Sequence, residues 1–69
     1  MYLEKDEILH LVNKKNYKVI NFEKYTDEYY YLLENIDNSK FTVVTAHLID
    51  SLLYLKEVKD EDILRRLKF

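Results

Sequence analysis

The spacing of hydrophobic positions along the chain changes twice, and these changes divide it into helical and extended segments. Over residues 4–15 the apolar residues Ile8, Leu11 and Val12 recur at helical intervals. Acids occupy the first turn of this segment, where the helix dipole favours negative charge. Residues 17–25 then bring β-branched and aromatic side chains, which favour extended structure. The pattern predicts a helix followed by a strand.

The strand predicted over residues 17–25 changes its inward face partway along. Tyr17 and Val19 alternate on one side, whereas Ile20 and Phe22 alternate on the other. A β-bulge, which adds one residue to one strand of a pair, corrects such a change of face. We therefore expect a bulge between the two pairs.

Residues 28–36 fit two periods, because Tyr29, Leu32, Leu33 and Ile36 also recur at helical spacing. The residues after this segment favour a strand. Residues 37–39 are turn formers, and residues 41–44 form a strongly β-prone run. The combination predicts a hairpin, with Asn38 in the left-handed conformation that a turn without glycine requires. Helix over residues 28–36 remains the alternative.

From Thr45 onward the pattern becomes helical again. Thr45 is a suitable N-cap for a helix that ends near residue 58, and Asp60 is a suitable N-cap for a short helix over residues 61–68. The apolar stripe of the first of these helices consists of Leu48, Ile49, Leu52, Leu53 and Leu55.

These elements predict the order α-β-β-β-α-α in a single α+β domain covering residues 1–69. Three antiparallel strands would form a sheet packed against the helices. A chain of 69 residues buries only about 60% of its unfolded surface, so its core is marginal. A partner protein, or a second copy of the chain in a homodimer, would enlarge this core.

Composition argues against most enzymes. The chain has no glycine, proline or cysteine, so phosphate-binding loops, nucleophile elbows and thiolate metal sites cannot be built in their usual form. His10 and His47 are its only histidines, too few for a metal site without converging carboxylates. We expect a non-enzymatic protein with no cofactor and no metal.

Charge and residue usage give further expectations. The net charge of −2 disfavours a general nucleic-acid binder, and no apolar run reaches the roughly 20 residues that span a bilayer. The charged N-terminal residues predict no secretory signal, so a cytoplasmic protein is expected. Phe, Tyr, Met, Ile, Asn and Lys supply 30 residues, against three from Gly, Ala, Arg and Pro. This A+T-rich bias, together with the small size, suggests a phage or mobile-element protein.

Three consecutive tyrosines predict a binding surface. A strand would place Tyr29 and Tyr31 on one face and Tyr30 on the other, so a sheet covered on one side would expose at least one ring. Exposed tyrosines are effective protein-binding anchors, and acids surround these three. We predict a non-catalytic module that inhibits or modulates a host protein, and expect replacement of Tyr31 to leave the fold intact. The predicted partner-binding residues are Asp27, Glu28, Tyr29, Tyr31, Glu34 and Asp37.

The C-terminal helix pair offers an alternative function. Two helices joined near Lys59 would resemble a helix-turn-helix that presents Arg65, Arg66 and Lys68 to DNA. Against this, Glu61 and Asp62 would place negative charge at the start of the recognition helix, where it would repel DNA. A small DNA-binding regulator is therefore the alternative hypothesis.

The predicted layout over residues 4–58 resembles that of some small type II-A anti-CRISPR proteins, which bind Cas9 where DNA would lie. The resemblance concerns the order of a helix, three antiparallel strands and a terminal helix, and no motif accompanies it. It implies a stoichiometric inhibitor and assigns no residue.

Overall fold

The computed structural model of the chain describes residues 2–69, which form a curled five-stranded antiparallel sheet, or half-barrel, and one short helix. The strands follow one another in the sheet in chain order. They are β1 (Ile8–His10), β2 (Asn16–Tyr25), β3 (Glu28–Asn35), β4 (Phe41–Ile49) and β5 (Leu52–Glu57), followed by the helix α1 (Glu61–Arg66). The predicted α+β fold, with a three-stranded sheet packed on helices, is therefore wrong, and so is the layout that resembled the anti-CRISPR proteins.

The three central strands do occur where the sequence predicts them, as β2, β3 and the first half of β4. The bulge in β2 is also confirmed, because the pairing with β3 shifts between Val19 and Asn21. Val19 pairs with Leu33 and Phe22 pairs with Tyr31, so the shift returns both β2 side chains to one face of the sheet.

The helix predicted over residues 4–15 is wrong. Strand β1 pairs with β2, and the chain then turns through a loop in which the Leu11 amide donates to the Lys15 carbonyl at 3.0 Å. Val12, on the expected buried stripe, is fully exposed. A helix of this length is marginal in isolation, so backbone pairing with β2 outweighs the local helical pattern.

The helix predicted over residues 45–58 is wrong too, because β4 continues to Ile49 and a tight hairpin leads into β5. Asp50 and Ser51 form the two-residue turn with φ of 51° and 67°. This turn places Ile49 opposite Leu52. Residues that are three apart therefore meet across the hairpin as they would along a helix, so apolar spacing alone does not distinguish the two structures.

The C-terminal helix is confirmed over most of its predicted length. It ends at Arg66, two residues before the predicted end. The Asp60 carboxylate caps it, accepting hydrogen bonds from the amides of Asp62 at 2.9 Å and Ile63 at 3.4 Å. Asp60 thus has the predicted N-cap role.

One face of the sheet, called the inner face here, holds the hydrophobic core. Leu3, from the segment before β1, joins this core although its neighbour Tyr2 is exposed. The segment therefore covers part of the inner face. The buried members of the core are Leu3, Val19, Tyr31, Leu33, Val44 and Ala46.

The opposite, outer face is covered at one end by α1. The Arg66 guanidinium donates to the Tyr25 hydroxyl at 2.6 Å, and the Lys68 amide donates to a Glu23 carboxylate oxygen at 2.8 Å. Tyr30 lies beside Tyr25, with ring centroids 6.5 Å apart, and is only 8% exposed. Both faces of the central sheet are thus covered near the consecutive tyrosines.

Within residues 2–69, left-handed backbone occurs at seven residues although the chain has no glycine. In the β3–β4 turn the left-handed residue is Ser39, not Asn38 as predicted. The Asn38 side chain instead accepts a hydrogen bond from the Lys40 amide at 2.9 Å. The seven residues are Asp6, Lys14, Thr26, Asp27, Ser39, Asp50 and Ser51.

We expect Ser51→Gly to stabilise the protein. The left-handed conformation costs an L-residue about 1–2 kcal/mol, whereas glycine adds about 0.5–1 kcal/mol of backbone entropy to the unfolded chain. The difference favours the variant by about 0.5–1 kcal/mol and raises the melting temperature by several degrees. Thermal unfolding followed by circular dichroism measures this shift.

The matched control for this prediction is Asp37→Gly, in a turn residue that does not have positive φ. Only the entropic penalty acts there, so the melting temperature should fall. Equal shifts in the two variants would mean that the left-handed turn stores no strain.

Candidate functional site

The six predicted partner-binding residues occupy both ends of β3. Asp27 lies in the two-residue β2–β3 turn, and Asp37 lies in the loop after β3. Six residues separate Glu28 from Glu34 along this strand, a distance of roughly 20 Å at about 3.3 Å per residue. The six therefore do not form one compact surface.

Four of the six residues do come together around a cleft of about 300 Å³. We call it the hairpin cleft, because the β2–β3 hairpin forms one of its walls. The residues that line it are Tyr2, Asp27, Glu28, Tyr29, Tyr31, Ala46 and His47.

The hairpin cleft lies where β3 and β4 stop pairing. Their register runs from Glu34 opposite Phe41 to Tyr31 opposite Val44. Beyond that point β4 pairs only with β5, while β3 continues to pair with β2 towards the hairpin. Tyr2 bridges the opening, because its amide donates to the Tyr31 hydroxyl at 3.2 Å.

The consecutive tyrosines are less exposed than the sequence suggested. Tyr31 is 1% exposed and belongs to the core, Tyr30 is buried on the outer face, and Tyr29 is half-buried. The expectation that one of these rings must lie largely outside is wrong, because the sheet is covered on both faces here. Tyr29 and Tyr31 both line the hairpin cleft, although Tyr31 is almost fully buried.

The walls of the hairpin cleft carry negative charge. Within residues 2–69, neither Asp27 nor Glu28 takes part in an ion pair. Lys24, on the same hairpin, contacts a cleft residue, because its Nζ lies 5.7 Å from the centroid of the Tyr29 ring. His47 adds an imidazole whose Nε2 lies 3.0 Å from Thr45 Oγ1. The cleft thus offers acceptor groups to a cationic ligand.

Glu34 and Asp37 have local surroundings of their own. Glu34 stands opposite Lys18 on β2, and the Asp37 amide donates to the Asn35 side chain at 2.9 Å as part of the turn. Opposite charges across neighbouring strands stabilise a sheet modestly. These two acids therefore lie apart from the hairpin cleft.

The basic residues of the DNA-binding alternative lie in or just after α1. Arg65 is close to Glu61 and Asp62, at 3.7 Å and 3.6 Å, and Arg66 donates to Tyr25. The structure describes a single helix in residues 2–69, so the predicted helix pair is wrong. Contact of Arg65, Arg66 and Lys68 with nucleic acid stays a prediction without that geometric support.

Tyr25 and Tyr30 differ in acidity although their rings are neighbours. The hydrogen bond from Arg66 lowers the pKa of Tyr25, with a smaller contribution from Thr26. Burial raises the pKa of Tyr30, and the nearby Glu28 carboxylate acts in the same direction.

The histidines lie on different strands. His10 on β1 has its Nδ1 2.6 Å from the side-chain oxygen of Asn16, and His47 lies on β4. In the part of the chain that the structure describes, no three side chains of the metal-binding types are grouped as a metal centre would require.

Tyr2, Ala46 and His47 are the cleft residues that sequence reasoning missed. None of them belongs to the acidic tyrosine-rich segment, and all three reach the cleft through long-range packing. The β-prone run over residues 41–44 was the only signal, because extending that strand would have carried Ala46 and His47 past the end of its pairing with β3.

Compared with known protein families, with curated proteins and with solved structures, the chain has no match. The helical part of residues 2–69 is far too short to cross a bilayer.

Proposed function

We propose that the chain is a non-catalytic protein-binding module whose hairpin cleft receives a lysine or arginine side chain of a partner protein. The observation that supports this proposal is the grouping of Asp27, Glu28, Tyr29 and Tyr31 around one concavity. A carboxylate pair accepts hydrogen bonds from an ammonium or guanidinium group.

The burial of the tyrosines makes the cleft rigid. Tyr31 is fixed in the core, and its hydroxyl is held by the Tyr2 amide. A preorganised site loses less conformational entropy when it binds a ligand. The walls therefore need little rearrangement to receive a cationic side chain.

The net charge of −2 supports the same class of partner. Complementary charge raises the association rate with a basic protein surface more than it raises affinity. The sequence-based hypothesis that this surface belongs to a host nucleic-acid-binding protein, which the chain would inhibit, stays a prediction.

We expect the double variant Asp27→Asn, Glu28→Gln to lose binding of cationic peptides. A short peptide that contains arginine and lysine, titrated into ¹⁵N-labelled protein, should shift the amide signals of Tyr29 and His47 in the wild type. The double variant should reduce the affinity about tenfold or more, because two charge-assisted hydrogen bonds are lost.

The matched control is Glu34→Gln, Asp37→Asn, which removes the same charge at the other end of β3. It should bind the peptide almost as the wild type does, and a peptide with citrulline and norleucine in place of the basic residues should not bind. Equal losses in the two double variants would show that only net charge matters and would reject the cleft.

A further inference from the structure

The outer edge of β5 is unpaired within residues 2–69, since β5 is the last strand of the sheet. Its side chains Leu52, Leu53 and Tyr54 are largely exposed. Across a groove of about 730 Å³, the edge of β5 faces the segment that contains β1. The first four residues of β5 are apolar and include no proline, and an exposed edge of this kind is a template for pairing with another strand.

The hairpin geometry shows which backbone groups this edge presents. Ile49 and Leu52 flank a two-residue turn, so they form a hydrogen-bonded pair, and such pairs alternate along the ladder. The amide and carbonyl groups of Leu53 and Leu55 therefore point away from β4. They are available to a neighbouring strand.

We infer that β5 pairs antiparallel with β5 of a second copy of this chain. With Tyr54 on the two-fold axis, Leu53 of one copy faces Leu55 of the other, and the outward backbone groups of both residues are satisfied. In this register the two Tyr54 rings meet, and Lys56 faces Leu52. No like charges are opposed, so the edge is complementary to itself.

The exposed area of the chain is consistent with a surface that a second copy would cover. A folded monomer of 8.5 kDa is expected to expose about 4,650 Å², whereas this chain exposes 5308 Å². The excess approaches the roughly 800 Å² that each partner buries in a standard interface. A groove filled by a lipid-like ligand would leave the edge amides without partners, which is why a strand is the better occupant.

This inference does not rest on the proposed cationic site, because neither carboxylate of the hairpin cleft lies on β5. Loss of peptide binding and loss of self-association are read by separate measurements. Either can fail while the other stands.

Sedimentation analysis of the full chain tests the inference. The wild type should have twice the 8.5 kDa mass of the chain at high protein concentration. Tyr54→Lys and Tyr54→Glu should each be monomeric, because like charges would meet across the two-fold axis. An equimolar mixture of the two variants should recover the dimer, which only a register centred on Tyr54 predicts.

The matched control is Phe41→Lys, which replaces another exposed aromatic ring away from β5 and should remain dimeric. Circular dichroism of each variant establishes that it is folded before its mass is compared. Hydrogen exchange should show the Leu53 and Leu55 amides protected in the wild type and at least tenfold faster in Tyr54→Lys.

Three results would overturn the inference. The first is a wild type that is monomeric at high concentration, which would leave the edge for a strand of another protein. The second is a Tyr54→Lys variant that stays dimeric. The third is a mixture of the Lys and Glu variants that does not associate.

Discussion

Tyr31→Ala should remove a large part of the free energy of unfolding. The side chain is 1% exposed and contacts the core, so its truncation opens a large cavity and costs about 3–5 kcal/mol. Domains of this length have roughly 3–10 kcal/mol of total stability. Urea unfolding followed by circular dichroism should therefore show a lost or strongly shifted transition.

Tyr31→Phe is the control for that experiment. It keeps the ring and removes only the hydroxyl that accepts from the Tyr2 amide, so we expect a loss of about 1 kcal/mol. A Tyr31→Ala variant that unfolds at the wild-type midpoint would contradict the core assignment and restore the surface role expected from the sequence.

Leu3→Ala should destabilise the protein by about 2–5 kcal/mol, although Leu3 lies outside every strand and helix. Its side chain is 1% exposed and packs in the same cluster as Tyr31. The segment before β1 therefore acts as part of the core. The midpoint of urea unfolding measures the effect.

The neighbouring Tyr2→Ala variant is the matched comparison, since Tyr2 contributes its backbone amide and not its side chain to the contact with Tyr31. We expect it to stay within about 0.5 kcal/mol of the wild type. A loss below about 0.5 kcal/mol in both variants would mean that the segment stabilises the fold by its backbone alone.

The sequence predicted the elements whose local signals agree with one another. β2, β3 and the start of β4 combine β-prone residues with strong turns, and the Asp60 cap precedes a clear acidic first turn. The bulge in β2 was also predictable, since the inward face changes between Val19 and Phe22.

The outer strands were missed because their apolar spacing fits two structures. At the β4–β5 hairpin, the spacing of Ile49 and Leu52 fits a helix and a two-residue hairpin equally well. Asp50 and Ser51 are weak turn signals because neither is glycine. In β1 only three residues pair, so the strand pattern is too short to read. In both strands, pairing with the neighbouring strand determined the extended structure.

The candidate site was predictable only where it is continuous in sequence. Asp27, Glu28, Tyr29 and Tyr31 lie together because one hairpin carries them. Tyr2 and His47 reach the cleft through tertiary packing, which the sequence alone does not show. Glu34 lies at the other end of β3, too far along the strand to line the cleft.

The strand order of the sheet has a consequence for how the chain folds. Every strand pairs only with its neighbours in sequence, across connections of a few residues. Closing such short loops loses little entropy, so this sheet should form faster than one built from distant segments. Since the chain has no proline, no slow peptide-bond isomerisation divides the unfolded molecules, and refolding of each chain should follow a single exponential.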